Sequence, residues 1–530
     1  MIFTPTFATR GMVASPHAAA SAAGADALRA GGSAVDAAVA AAATLGVVYP
    51  HMCGLGGDAF WLIYDAAARK VSYLDGGGRA AAAATLERFH GQREIPFRGL
   101  VPATLTTPGA VASFCEAHAR HGTLPLARCL HDAIHHARDG YPVTARLARW
   151  IAETASELSQ DAASAALFLP HGKAPAAGAR MKNVNLARTL EAIGAQGRAG
   201  FYEGEVARQL ASLGGFFGER DLAAQRAHWG EPIRASYHGV TIYETPPPTQ
   251  GFTVLEMLNL LEPLELAGRE FLGPDHVHLL VQAKQIAYHD RDRWLADPRL
   301  AAVPVERLVS KAYADTRRAL IDPARALPWD KVPSEGSLAG DTVYVAAVDA
   351  KGNAASLIFS LYGIFGACVT AGEAGVVLQN RSAYFSLDPK HPNRLEPGKV
   401  PLHTLIASLA FKGEKLWAVL GCMGADGQPQ IHAQAYVAMI DFGQDIQQAL
   451  ALPRWLSGRF ALGQARDTLH IEARYPGATI DELVRRGHPV ERWGDWNELA
   501  GHANGITLDP ESGVLAGGAD PRSDGAAVGH

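Results

Sequence analysis

The chain has 530 residues, 48% of them hydrophobic and 19% charged, the balance of a soluble globular protein with room for two ordinary domains or one large interlocked core. A formal charge of −5 over that length leaves no basic footprint, which excludes nucleic acid as a partner class and leaves small neutral or anionic substrates open. The five cysteines, Cys53, Cys115, Cys129, Cys368 and Cys422, are scattered and contain no C-x-x-C pair, so neither a disulfide framework nor a zinc knuckle is expected.

The amino-terminal stretch MIFTPTFATRGMVASPH has no basic start followed by an apolar run, so no secretory signal is expected. Together with the unpaired thiols this points to the cytoplasm. HAAASAAGADALRAGG reads as a helix closed by a glycine pair, and SAVDAAVAAAA restarts a helix with Ser33 as its N-cap. The apolar run from Ala37 to Pro50 is too short to cross a bilayer and reads as a buried helix. GLGGDAFWLIYDAAARKVSYLDGGG follows as a glycine loop, a strand, a turn and a second strand. Residues 105–225 read as mostly helical. GVTIYETPPPTQGFTVLEMLNLLE is a strand, a stiff Pro-rich turn and an amphipathic helix, and a long helix is predicted from Pro274 to Trp294. Residues 320–341 are rich in Pro, Gly and charge, the best linker in the chain. Beyond them TVYVAAVD, AASLIFSL, GVVLQN, TLIASLAFKG and KLWAVLGCMG read as strands, before helical sequence returns at 428–451. The pattern predicts an α+β fold, with a helical shell around sheets buried on both faces.

Several motifs have ordinary explanations. GLGGD at 54–58 lacks the GK[ST] ending of a phosphate loop and precedes a strand, so it reads as a tight turn. His131 and His135, with His136 and Asp139, have metal-capable spacing, but the glutamate of an H-E-x-x-H site is missing, and no metal or cofactor is expected. The charges of YHDRDRWLADP (288–298) are expected to pair on a solvated or interhelical face. No G-x-S-x-G elbow occurs. Thr342, heading the strand TVYVAAVD, is on its face one strand-starting threonine among many. Exposed as a new amino terminus it would carry its own general base, because an α-amine has a pKa near ~8. The flexible stretch upstream would let the severed peptide leave.

The ordered set GMVASPHAAASAAGADALRAGGSAVDAAVAAAATLGVVYPHMCGLGGDAFW, VPATLTTPGAV, FYEGEVA, DLAAQRAHWGEPI, PPPTQG, GDTVYVAAVDAKGNAAS, PLHTL and GGADPRSDGAA resembles the gamma-glutamyltranspeptidase family of N-terminal-nucleophile hydrolases over nearly the whole chain. The resemblance implies a four-layer αββα fold. It also implies a proenzyme that cleaves itself before Thr342 into an interlocked large chain, 1–341, and small chain, 342–530, with further pairing of that heterodimer left open. Thr342 would be the nucleophile, Ser360 the hydroxyl that orients it, and the N–H groups of Gly424 and Ala425 in GCMGADGQPQ the oxyanion donors. The family's second glycine is alanine here.

The departures bear on the substrate. Where gamma-glutamyl enzymes hold an amino acid with an arginine, an asparagine, an aspartate and a serine pair, this chain has Gly77, Tyr362, Tyr384, and His403 with Thr404. Leaving a zwitterion's charges unpaired would cost several kcal/mol. Arg79 and Arg381 are the cations left near the site, each suited to bidentate carboxylate binding or, equally, to a structural role: Arg79 capping a turn, Arg381 pairing with an acid. The altered clamp is most similar to that of oxamate amidohydrolases, which serve purine-ureide nitrogen recovery, and more distantly to glutaryl-cephalosporin acylases. The expected function is hydrolysis of a small carboxylate-bearing amide, oxamate foremost, with no nucleic-acid or membrane partner. The alternatives are a gamma-glutamyl hydrolase or transferase acting on glutathione-like substrates, a cephalosporin-type acylase, and a non-catalytic relative.

Overall fold

The computed structural model describes residues 3–99, 104–333, 341–458 and 465–530, so the expected linker at 320–341 falls partly outside the described residues, at 334–340. Two seven-stranded antiparallel sheets form the centre. In the first, the order is Ala526–Gly529, Met12–Ser15, Asp341–Val348, Ala354–Tyr362, Asp58–Asp65, Lys70–Gly76 and His228–Gly230. The second runs Thr6–Ala8, Leu515–Ala519, Ala503–Leu508, Lys415–Cys422, Ser408–Lys412, Val240–Glu244 and Ile233–Tyr237. Both sheets combine strands from either side of the 341/342 bond.

Strand alternation sorts the side chains into layers. Along the strand that carries Thr342, Asp341–Val348, the residues Val343, Val345 and Ala347 pack outward with the helices Ala18–Arg29 and Ala34–Val48. Tyr344, Ala346 and Val348 point inward and meet Val419 and Ile506 of the second sheet. The second sheet's outer face carries the helices Gly251–Leu261, Pro274–Trp294 and Gln428–Ile440. Helix, sheet, sheet and helix are thus stacked as the αββα expectation requires. No described helix is long and apolar enough to cross a membrane.

Local signals account for most elements. Ser33 caps the second helix in a capping box with Asp36, and the long helix runs from Pro274 to Trp294 as predicted. One expectation needs correction. GVVLQN yields only the short strand Val376–Val377, because the next backbone donors go to three different segments: Leu378 to Val369, Gln379 to Gly56 and Asn380 to Leu361. The charges of YHDRDRWLADP divide between the two faces expected for them, Arg293 being exposed and Asp290 lying against the helix Lys311–Arg318. Asp290 and Arg291 are each 2% exposed, and Asp290 pairs with Arg317 at 3.0 Å.

The glycine run at 54–58 is a tight turn, closed by the Gly57 N–H on the Gly54 carbonyl at 2.9 Å. It also allows a close backbone approach. A Cβ on Gly57 would lie 2.1 Å from the carbonyl oxygen of Ser360, so only glycine seats the following residue, Asp58, opposite Ser360. Gly57→Ala is therefore expected to destabilise the protein by about 1–3 kcal/mol, the usual cost of overpacking. A thermal melt that does not fall relative to wild type would contradict this packing.

Candidate active site

The ladder between Asp341–Val348 and Ala354–Tyr362 slips by one residue: Asp341 pairs with Tyr362 and Val343 with Phe359, so Thr342 lies opposite a β-bulge formed by Ser360 and Leu361. Thr342 is 1% exposed, and its Oγ1 donates to Ser360 Oγ at 3.1 Å. Ser360 Oγ accepts two further donors, the Tyr362 N–H at 2.8 Å and Arg381 Nη2 at 3.3 Å. Its own proton is committed to the carbonyl oxygen of Asp341, 2.5 Å away. The hydroxyl of Thr342 is thereby linked through Ser360 to the carbonyl of the residue before it. Tyr362 adopts φ 79°, a strained backbone that holds its N–H on Ser360.

The loop after the strand Lys415–Cys422 supplies the expected oxyanion donors. Gly424 has φ 144°, and a Cβ there would meet Ile431 Cδ1 at 2.8 Å. Ala425 has φ 46°, a left-handed conformation that costs a non-glycine residue roughly 1–2 kcal/mol. Among the described residues neither N–H has an acceptor. The strained loop is held from several sides. Gln250 Nε2 donates to the Ala425 carbonyl at 3.0 Å, and Arg291 Nη1 reaches both Gln250 Oε1 at 2.9 Å and Asp426 Oδ1 at 2.5 Å. Tyr384 donates to the other carboxylate oxygen of Asp426, and Tyr288 to its carbonyl.

Arg381 opens a short 3-10 turn, Arg381–Tyr384, and is fully buried. Its Nη1 donates to Thr404 Oγ1 at 3.0 Å, and its guanidinium lies 4.6 Å from the Tyr362 ring centre and 5.5 Å from that of Tyr384. Among the described residues Nε has no acceptor and no carboxylate pairs with the guanidinium. Five of the six predicted substrate residues, Tyr362, Arg381, Tyr384, His403 and Thr404, thus fall into one group. Arg79 does not join it. Its Nη2 sits 2.6 Å from His228 Nε2 on a half-exposed edge, and its carbonyl accepts the Thr107 N–H in a turn.

Four residues of this network were not singled out from the sequence: Asp58, Gln250, Arg291 and Asp426. Asp58, fully buried, had the clearest signal, as the acid that ends a glycine run and begins a strand. Its Oδ1 accepts from the Gly78 and Gly109 N–H groups at 2.8 and 3.1 Å and from Gln379 Nε2 at 3.0 Å. Burial raises its pKa to about 7 against the counter-pull of Arg381. Its Oδ2 lies 3.4 Å from His403 Nε2 outside hydrogen-bonding geometry, and burial holds His403 well below its ordinary pKa.

Elsewhere, His135 pairs with Asp139 at 2.9 Å on an exposed face, and His131 with its neighbour Asp132. Asp36, His118 and Cys129 bring three ligand-type atoms within 4.8 Å of one another. Asp36 already accepts the backbone N–H groups of Ser33, Thr123 and Leu124, so the cluster is accounted for as a helix cap. A cavity of about 510 Å³ opens at the far end of the same strands, lined by Asp65, Arg120, Asp349 and Lys351 among others, and none of the active-site groups faces it.

The gamma-glutamyltranspeptidase family model matches residues 20–530. The glutathione hydrolase-like YwrD proenzyme of Bacillus subtilis (strain 168) is 41% identical over 526 residues, 98% of this chain and 98% of that protein. The oxamate amidohydrolase proenzyme of Klebsiella pneumoniae is 40% identical over 531 residues, 98% of this chain and 99% of that protein. Among solved structures, cephalosporin acylase from Bacillus halodurans superposes with a TM-score of 0.91 at 36% identity, over 99% of this chain and 97% of that one. The chain belongs to the gamma-glutamyltranspeptidase family and is an amidohydrolase of the N-terminal-nucleophile type.

Proposed function

We propose that the chain cleaves itself before Thr342 and then hydrolyses the amide of a short carboxylic acid, with oxamate, yielding oxalate and ammonia, as the leading substrate. The observation that carries this reading is Arg381: a buried guanidinium without a carboxylate partner among the described residues, two hydrogen bonds away from the Thr342 hydroxyl through Ser360. A buried cation is stable only when its charge is answered, and a substrate carboxylate would answer it. The short path to the nucleophile favours an acid whose carboxylate is close to the scissile carbonyl. The 40% identity to an oxamate amidohydrolase supports the same reading. Free thiols on all five cysteines suit a cytoplasmic setting.

In self-cleavage, Thr342 Oγ1 attacks the Asp341 carbonyl carbon. Ser360 Oγ takes the threonine proton while passing its own to the carbonyl oxygen. Collapse transfers a proton to the Thr342 nitrogen and breaks the C–N bond, leaving an ester that water hydrolyses. The freed α-amine then serves as base for the same hydroxyl against substrate. Gly424 and Ala425 N–H groups receive the oxyanion, ammonia leaves, and water releases the diacid. Arg381, with Tyr362, Tyr384, His403 and Thr404 around it, would hold the acyl carboxylate, and Arg79 would take no part.

A gamma-glutamyl substrate is the second reading, favoured by the free Oδ2 of Asp58 near Arg381, which together could hold an ammonium and a carboxylate.

Intact-mass spectrometry of the purified wild type is expected to show two fragments, the smaller beginning at Thr342, whereas Thr342→Ala stays whole. Ser360→Ala should slow the cut by about 10²–10³, the usual cost of one oxyanion donor. A wild type that remains a single chain would end the proposal. Gly424→Ala, strained by its φ and by Ile431, should still cleave itself but lose about 10²–10³ in kcat, read from steady-state rates on the mature enzyme. Ammonia release from oxamate without turnover of a gamma-glutamyl anilide is the expected substrate pattern, and the reverse would favour the second reading. Arg381→Met should raise KM for oxamate by about 10–100-fold, as expected for losing a charge-assisted hydrogen bond.

A further inference from the structure

Three fully buried side chains near Ser360 each keep an unfilled hydrogen-bonding position: Asp58 Oδ2, both ring nitrogens of His403, and Arg381 Nε. Unsatisfied polar atoms in a dry interior are costly, so their convergence marks a place built to be filled. Asp58 is fixed there by more than its strand. It is the cross-strand partner of Ser360, and its Oδ1 is saturated by Gly78, Gly109 and Gln379. Only Oδ2 is left to act.

We propose that Asp58 is a specificity-determining residue of the acyl pocket, whose Oδ2 carries a proton and donates it to an oxygen of the substrate carboxylate held on Arg381. The inference rests on the anionic-acyl reading above and says how the pocket tolerates a carboxylate beside an aspartate. Ionised, Asp58 would cancel the charge of Arg381 and repel the substrate; neutral, it leaves one net positive charge and adds a donor. The groups facing Asp58 favour the neutral form. Among the described residues Arg381 is the one cation facing it and opposes it, while His403 is held neutral by burial, Tyr202 is an un-ionised phenol, and Gly78, Gly109 and Gln379 present only N–H groups. Burial outweighs the attraction of Arg381 and holds the acid at a pKa of about 7.

The test compares the mature two-chain enzyme with Asp58→Asn, which is isosteric and keeps a donor at the Oδ2 position at every pH. In wild type, KM for oxamate should be flat below about pH 7 and rise above it, approaching tenfold per pH unit. In Asp58→Asn it should stay flat from pH 6 to 9, near the low-pH wild-type value. A variant KM that rises in parallel with wild type, or one tenfold worse at pH 6, would overturn the proposal. Difference infrared spectra of aspartate-labelled protein give a readout without turnover. A carboxylic-acid carbonyl stretch present at pH 6, lost by pH 9 and missing from Asp58→Asn is expected; its absence in wild type at pH 6 also overturns the inference. If no anionic amide is turned over while that band is present, the substrate reading has failed and the protonated Asp58 has not.

Discussion

The site depends on one irregularity in one ladder. Pairing between Asp341–Val348 and Ala354–Tyr362 slips opposite Thr342, and the extra residue in the Ser360–Leu361 stretch turns an ordinary strand opening into a place where a hydroxyl, a second hydroxyl and a carbonyl line up. Ser360 Oγ is the meeting point. Three donors crowd its two lone pairs, the Arg381 contact being the longest, and leave its hydrogen a single destination, so its role as donor to Asp341 is fixed by geometry rather than by a perturbed pKa. The surrounding structure keeps that point in place. Glycine at 57 lets two backbones touch, and the left-handed Tyr362 turns its N–H inward.

The second constraint is the handling of charge in a dry interior. Arg291 and Asp426 answer each other, and by doing so they tether a loop that contains an alanine in an unfavourable conformation. Arg381 and Asp58 are treated differently. They lie near enough to feel each other without forming a salt bridge, so each retains capacity for something else. Structural ion pairs close upon themselves; this pair of groups stays open, and that separates a pocket from a scaffold.

Much of the fold was legible because its signals are local. The Ser33 capping box, the long helix from Pro274 and the alternating strands after Thr342 all follow from short-range pattern. The failures share a physical cause. GVVLQN has strand composition, yet its backbone donors find partners in three distant segments. Pairing of the charges around Arg291 is expected in kind, but nothing in that helix announces the partner Asp426, 135 positions away. For the site, Thr342, Ser360 and the loop at Gly424 are named by likeness to a family, whereas Asp58, although it closes the GLGGD motif, reads from the sequence only as part of a tight turn. Arg79 was drawn in by its nearness in sequence to Gly77, but on the folded chain it turns toward His228.

The interleaving of the sheets has a consequence for what a cut would mean. In the first sheet the strand that carries Thr342 lies between Met12–Ser15 and Ala354–Tyr362, so its neighbours come from opposite sides of the proposed break. In the second, Lys415–Cys422 and Ser408–Lys412 run beside Val240–Glu244 from the other segment. Severing the 341/342 bond would remove the covalent tie without removing any of these ladders, and neither fragment could depart with a complete sheet. Separation of the pieces and loss of the fold would be the same event. Reassembly would then require two molecules to meet where one had sufficed, so a folded pair would be easy to keep and hard to rebuild, stable by entanglement and not by a reversible handshake.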